Sequence, residues 1–164
     1  MTPAAYGEFL CRLFDRWTRD DPPAASLRTF EGFLADALGV PGGDCLHQRQ
    51  CGSYAVVEHT GDVYACDFLV EPDFRLGNLL EAPLWELVRG PVAERFTALK
   101  PALPERCRKC PWLARCGGGC PKHRRDAGGF AEPSYYCESY RTFFTHAAPR
   151  LDTLARRLKP PGPT

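Results

Sequence analysis

The chain has 164 residues, a mass of 18.3 kDa, 21 Lys+Arg against 20 Asp+Glu and a formal net charge of +1, which is one domain's worth of protein with a core of its own. That balance excludes a disordered acidic or basic tail and speaks against charge-driven capture of nucleic acid as the main activity. Nine cysteines are several times ordinary usage, so thiol chemistry is the leading signal.

Glu8, Arg12, Asp15 and Arg16 interrupt the N-terminal stretch, which therefore reads as a helix rather than a secretory signal. No apolar window of about eighteen residues is present, so no membrane span is expected. These readings give a cytoplasmic chain, where disulfides are uncommon and clustered thiols read as metal ligands.

Tyr6, Phe9, Leu10, Leu13, Phe14 and Trp17 recur at helical spacing and predict a first amphipathic helix ending near Arg19-Asp20-Asp21-Pro22. Ser26 is the expected cap of a second helix with the face Leu27, Phe30, Phe33, Leu34, Ala37 and Leu38, stopped by Gly39 and a Pro41-Gly42-Gly43 turn. Tyr54 to His59 and Val63 to Cys66 are β-prone runs joined by Thr60-Gly61-Asp62, a hairpin with Cys66 at its exit. After Gly77-Asn78-Leu79 come two short helical patterns, Leu84 to Val88 and Val92 to Leu99, divided by Gly90-Pro91.

From Pro101 to Pro121 cysteine, proline, glycine and basic residues leave almost no periodicity, so a bound metal centre is expected to order this stretch. Glu138 to Thr145 and Leu151 to Leu158 read as closing helices interrupted at Pro149, followed by a disordered Lys159-Pro160-Pro161-Gly162-Pro163 tail. The elements amount to an α+β chain: a small loop-rich region with a short β-hairpin, flanked by N- and C-terminal helices. No internal repeat is found.

The thiols are spaced Cys45-x5-Cys51-x14-Cys66 and Cys107-x2-Cys110-x5-Cys116-x3-Cys120-x16-Cys137, with Cys11 standing apart. A lone CxxC is a weak signal, but eight cysteines in two loop-rich groups can close two four-thiolate sites. Zinc and iron-sulfur centres both accept such ligands. Cys110-Pro111 and Cys120-Pro121 favour iron-sulfur, because ferredoxin-type runs carry the same pair, and Gly117-Gly118-Gly119 lets backbone approach bulky sulfides. Zinc stays open on spacing alone.

In two-cluster ferredoxins the last cysteine of such a run serves the other cluster. That pattern pairs Cys120 with Cys45, Cys51 and Cys66, and Cys137 with Cys107, Cys110 and Cys116. Arg106, Arg108, Lys109, Arg115, Lys122, Arg124 and Arg125 surround the second group with Glu105 as the one acid. They read as compensation for negatively charged clusters, or a plain solvated face, ahead of nucleic-acid binding, since Trp112 is the one aromatic platform among them.

Cys51 to Phe74, the following Arg75-Leu76-Gly77-Asn78-Leu79 and Cys107 to Lys122 resemble the C-terminal SPASM domain of radical S-adenosylmethionine enzymes, in particular the anaerobic sulfatase-maturating enzymes. The resemblance runs from about Phe9 to Leu154. It implies two auxiliary 4Fe-4S clusters on the same two cysteine sets, and it implies that Asp67 is the base that deprotonates a substrate Cys or Ser on the way to formylglycine. It further implies a sulfatase or other peptide substrate, a radical SAM catalytic domain as partner, and an external electron donor such as flavodoxin or ferredoxin. Neither nucleic acid nor membrane is an expected partner.

The CxxxCxxC motif for the catalytic cluster and S-adenosylmethionine does not occur: Cys116-x3-Cys120 starts it, but His123 stands where its third cysteine belongs. S-adenosylmethionine is therefore expected only through a partial barrel absent from these residues, and the chain alone should be inactive. The expected segments are a helical lead-in over 1–40, the SPASM domain over 41–146, a C-terminal helix over 147–158 and the tail over 159–164. Two other readings share the cysteines: a SPASM domain of another peptide-modifying maturase, and a double-zinc interaction module. Asp67 also reads as a solvated strand-end residue, Cys11 as an inert buried thiol, and His47, His59, His123 and His146 as surface or hydrogen-bonded histidines. Tyr135, Tyr136, Tyr140, Phe143 and Phe144 are expected to pack over the second cluster.

Overall fold

In the computed structural model, which describes residues 1–20, 23–40, 44–126 and 129–159, Thr2 Oγ1 accepts the Ala5 N–H and starts α1 (Pro3–Trp17). Leu10, Phe14 and Trp17 bury one stripe of it, while Phe9, on the same stripe by spacing, is exposed at the edge. In α2 (Arg28–Leu38), Phe30 and Phe33 face inward and Gly39 ends the helix at φ +77. Ser26 does not cap it: Leu27 holds the cap position, and the Ser26 hydroxyl donates instead to Glu31 Oε2 at 3.0 Å. The expected stops at Asp21-Pro22 and at Pro41-Gly42-Gly43 lie outside the described residues.

A long helix, α7 (Cys137–Leu158), packs along α1 and against α2. Gly7 makes this possible. A Cβ there would stand 3.2 Å from Ser139 Cα, and the Ser139 hydroxyl donates to Pro3 O at 2.6 Å. The layer between the helices is aromatic: Phe14, Phe30, Phe33, Phe143 and Phe144 meet mostly edge-to-face or tilted, with centroids 5.0 to 5.6 Å apart in most pairs.

Pro149 does not divide this helix, contrary to expectation, and α7 also runs unbroken across residue 147. A proline removes one N–H bond and crowds the preceding turn. Here Ala147, Ala148, Leu151 and Ala155 bury the same face on both sides of it, and that packing outweighs the lost bond.

The middle of the chain holds a three-stranded antiparallel sheet of β1 (Val56–Val57), β2 (Asp62–Tyr64) and β3 (Arg75–Asn78), in that order. Val56 pairs with Tyr64 and Val57 with Val63, around Gly61 at φ +85. The hairpin is as expected, but β3 is an addition. Arg-Leu-Gly-Asn has no β-branched residue to announce a strand. The pairing is carried by Asp62, whose carboxylate accepts Arg75 Nε and Nη2 at 2.9 and 2.6 Å and Asn78 Nδ2 at 2.9 Å.

Short helices α3 (Leu84–Leu87), α4 (Pro91–Leu99), α5 (Glu105–Arg108) and α6 (Leu113–Cys116) follow. A second, smaller core of Ala65, Cys66, Leu69, Phe74 and Phe96 sits where the sheet meets α4. Helices plus a small antiparallel sheet make the chain α+β. Among the described residues no helix is long and apolar enough to cross a membrane.

Candidate metal centres

Cys45 opens a 3-10 turn, Cys51 lies in the loop after it, Cys66 is buried where the chain leaves β2, and Cys120 precedes another 3-10 turn, Pro121–Arg124. All four line one cavity of about 20 Å³, walled by Leu69, Phe96 and Lys100. Cys107 in α5, Cys110, Cys116 at the end of α6 and Cys137 at the start of α7 line a second, of about 300 Å³, against Trp112, Tyr140 and Phe144. Tyr135 is exposed and takes no part in that wall, and Tyr136 packs instead on Tyr6 and His123.

One short link joins the two cavities. Gly117, Gly118 and Gly119 take φ values of +59, +77 and +74, a run of three that non-glycine residues rarely adopt. The reversal carries the chain from Cys116 in one cavity to Cys120 in the other.

Burial pushes the Cys51 and Cys116 thiols up to about 11 and also raises Cys66, Cys107 and Cys137. None of the nine cysteines forms a disulfide. Among the described residues no three His, Cys, Asp or Glu form a single-ion site, and the first cavity is much the tighter of the two. Four soft thiolates around a cavity fit the donor set of a cysteine-ligated iron-sulfur core, whose deprotonated ligands and net charge need the cations nearby.

Two cations answer that need: Arg124, one of the seven basic residues that the sequence reads as cluster compensation, and Lys100, which is not among them. Lys100 is 1% exposed; its ammonium donates to the carbonyls of Cys45 and Leu46 and lines the first cavity. Arg124, also 1% exposed, donates to the carbonyls around the glycine link. Other basic residues of this stretch meet acids or carbonyls: Arg106 and Lys109, which also line the second cavity, pair with Glu138 and Glu105, Arg115 with Asp152, Arg125 with Glu71 and Lys122 with Phe68 O.

Asp67 is exposed beside Cys66, its Oδ1 3.5 Å from the sulfur and 2.6 Å from the Tyr54 hydroxyl that donates to it. That bond holds the Asp67 carboxyl below its ordinary range. Both residues border a groove of about 810 Å³ shared with Tyr6, Arg28, Asp44 and His123. Neither His47 nor His123 lines a thiol cavity. The His47 ring sits against Phe33 and Tyr140, and burial lowers it to about 4. His146 pairs with Asp15, and Cys11 packs partly buried against the helical core with its thiol raised.

Residues 45–111 match the model of the SPASM family, an iron-sulfur cluster-binding domain. Cys116, Cys120 and Cys137 lie beyond the matched segment. The chain is 35% identical over 161 residues to the serine-type anaerobic sulfatase-maturating enzyme of Bacteroides thetaiotaomicron, covering 96% of this chain and 39% of that protein. It is 37% identical over 162 residues to the cysteine-type enzyme of Clostridium perfringens, covering 97% and 44%. The solved structure of native anSMEcpe with bound AdoMet and the Cp18Cys peptide superposes with a TM-score of 0.89 at 37% identity, over 96% of this chain and 45% of that one. The chain thus spans about two fifths of the length of the curated relatives it matches. Residues 45–111 thus match the SPASM iron-sulfur cluster-binding domain, in a chain similar over nearly its whole length to part of the anaerobic sulfatase-maturating enzymes.

Proposed function

We propose that the chain binds two 4Fe-4S clusters, one on Cys45, Cys51, Cys66 and Cys120 and one on Cys107, Cys110, Cys116 and Cys137. With a radical SAM catalytic domain it would support oxidation of a sulfatase Cys or Ser to formylglycine. The supporting observation is the sorting of eight thiols into two quartets around two cavities, joined by the Gly117 to Gly119 link. When bound, the clusters supply one-electron carriers. Everything else falls to side chains.

In this reading Asp67 takes the proton from the substrate thiol or hydroxyl, held in place by Tyr54, and the groove beside it seats the peptide. The SPASM region spans 41–146, preceded by the lead-in 1–40 and closed by the helix through 158. S-adenosylmethionine enters only with the catalytic domain, because these 164 residues contain no CxxxCxxC motif. A reduced flavodoxin or ferredoxin is the proposed electron partner, and a reducing, cytoplasmic setting keeps the thiols available. Serine-type and cysteine-type relatives are about equally similar, so the reading covers both substrates.

The test supplies the anaerobically reconstituted chain with a radical SAM catalytic domain, S-adenosylmethionine, a reductant and sulfatase-motif peptides carrying Cys or Ser. Aldehyde formation, trapped with a hydrazine and dependent on this chain, is the expected result. Cluster-loaded chain that leaves both peptides unmodified contradicts the substrate assignment.

A further inference from the structure

Arg124 has an unusual set of partners for a buried cation. Its Nε donates to Gly118 O at 2.9 Å, Nη1 to Lys100 O at 3.0 Å, Leu99 O at 3.4 Å and Ala102 O at 3.5 Å, and Nη2 to Gly117 O and Gly119 O, both at 3.4 Å. Every acceptor is a backbone carbonyl. Among the described residues no Asp or Glu pairs with it. A buried guanidinium without a counter-charge is costly, and neutral carbonyls only share out its hydrogen bonds.

The counter-charge available to it comes from thiolates on both sides. Its electrostatic neighbours are Cys107 and Cys116 of one cavity and Cys51 and Cys120 of the other. Lys100 differs. Its thiol neighbours are Cys51, Cys120 and Cys45, all of the first cavity, Arg124 stands near it as a like charge, and its ammonium is tied to the Cys45 turn.

We infer that Arg124 is a positioning residue common to both metal centres: its fork of hydrogen bonds fixes the Gly117 to Gly119 link, and its charge acts on both thiolate quartets, whereas Lys100 acts on the first alone. This rests on the two-cluster reading above. A fixed positive charge near a cluster favours its reduced, more negative form, so removing it lowers the midpoint potential. Lysine at position 124 keeps the charge without the planar fork.

The experiment uses the full 164-residue chain, reconstituted anaerobically with iron and sulfide, as wild type, Arg124→Met, Arg124→Lys and Lys100→Met. Iron and labile sulfide are counted, and midpoint potentials are read by EPR-monitored titration. Lys100→Met should lower one potential and leave the other in place. Arg124→Met should lower both by at least a tenfold change in the reduction equilibrium, about 59 mV for a one-electron couple, or lose both clusters together. Arg124→Lys should keep both clusters, with potentials above those of the Met variant.

Three results overturn the inference: an Arg124→Met chain that moves one potential or neither, one that loses iron from a single site, or an Arg124→Lys chain no different from it. Wild-type chain without labile sulfide contradicts the cluster reading itself and takes the inference with it. A fully loaded wild type beside an unaffected Arg124→Met contradicts the inference alone.

Discussion

Tyr54 donates its hydroxyl to Asp67 Oδ1 at 2.6 Å, while the same hydroxyl stands 3.7 Å from the Cys66 sulfur. The pair ties a carboxylate to the edge of the first cavity. Removing the donor in Tyr54→Phe frees the Asp67 side chain to leave this position, and turnover in the reconstituted peptide assay should fall about tenfold through lost positioning. Asp67→Asn should abolish turnover with iron content unchanged. Undiminished turnover in Asp67→Asn removes Asp67 from the mechanism.

A Cβ on Gly117 would meet backbone, His47 O and Gln48 O at 2.6 and 2.8 Å, whereas one on Gly118 would meet side chains. A Cβ there would lie within 3.0 Å of both the Arg124 guanidinium and Leu103, at φ +77. Gly118→Ala should cost about 2 kcal/mol or more in urea unfolding of the metal-loaded chain and reduce iron at both sites. Gly39 has the same φ but open space around it, so Gly39→Ala should show the smaller backbone cost and normal iron.

The helical layer is a separate source of stability. Phe143 is fully buried among Phe14, Phe30 and Phe33, and Phe143→Ala should cost about 3–5 kcal/mol. Gly7→Val should cost about 1–3 kcal/mol by pushing α1 away from Ser139. Denaturant midpoints measure both. A neutral Gly7→Val would mean that α1 and α7 do not rely on this close approach.

Stripping the metal should divide the chain along the same line. The apo protein is expected to keep the far-ultraviolet signal of α1, α2 and α7, whose core is aromatic, and to become protease-sensitive between Cys45 and Arg125. The central core of Ala65, Cys66, Leu69, Phe74 and Phe96 includes one of the thiols and is small. Uniform protection of apo and loaded chain would contradict a metal-ordered centre.

Local spacing marked the two groups of thiols, and the quartets that line the two cavities follow the ferredoxin pattern in which the last cysteine of a run serves the other centre. Periodicity likewise marked α1 and α2, since Leu10, Phe14, Phe30 and Phe33 repeat at helical intervals. The strand β3 escaped because its pairing rests on Asp62 bonds from another strand, and α7 ran through Pro149 because tertiary packing overrides a local breaker. Lys100 looks like any surface cation until the fold buries it, and nothing but burial sets Arg124 apart from the six other basic residues around it. Tyr54 did leave a trace: continuing the β1–β2 register two residues past Val56 and Tyr64 sets it opposite Cys66.

The central claim is that these thiols hold two iron-sulfur clusters, and the direct test is iron, acid-labile sulfide and zinc per chain on anaerobically purified protein, with visible spectra before and after dithionite. About eight iron and eight sulfide, with a broad absorbance near roughly 400 nm that bleaches on reduction, is the predicted result. About two zinc, no sulfide and no colour would contradict it and leave a structural module in its place.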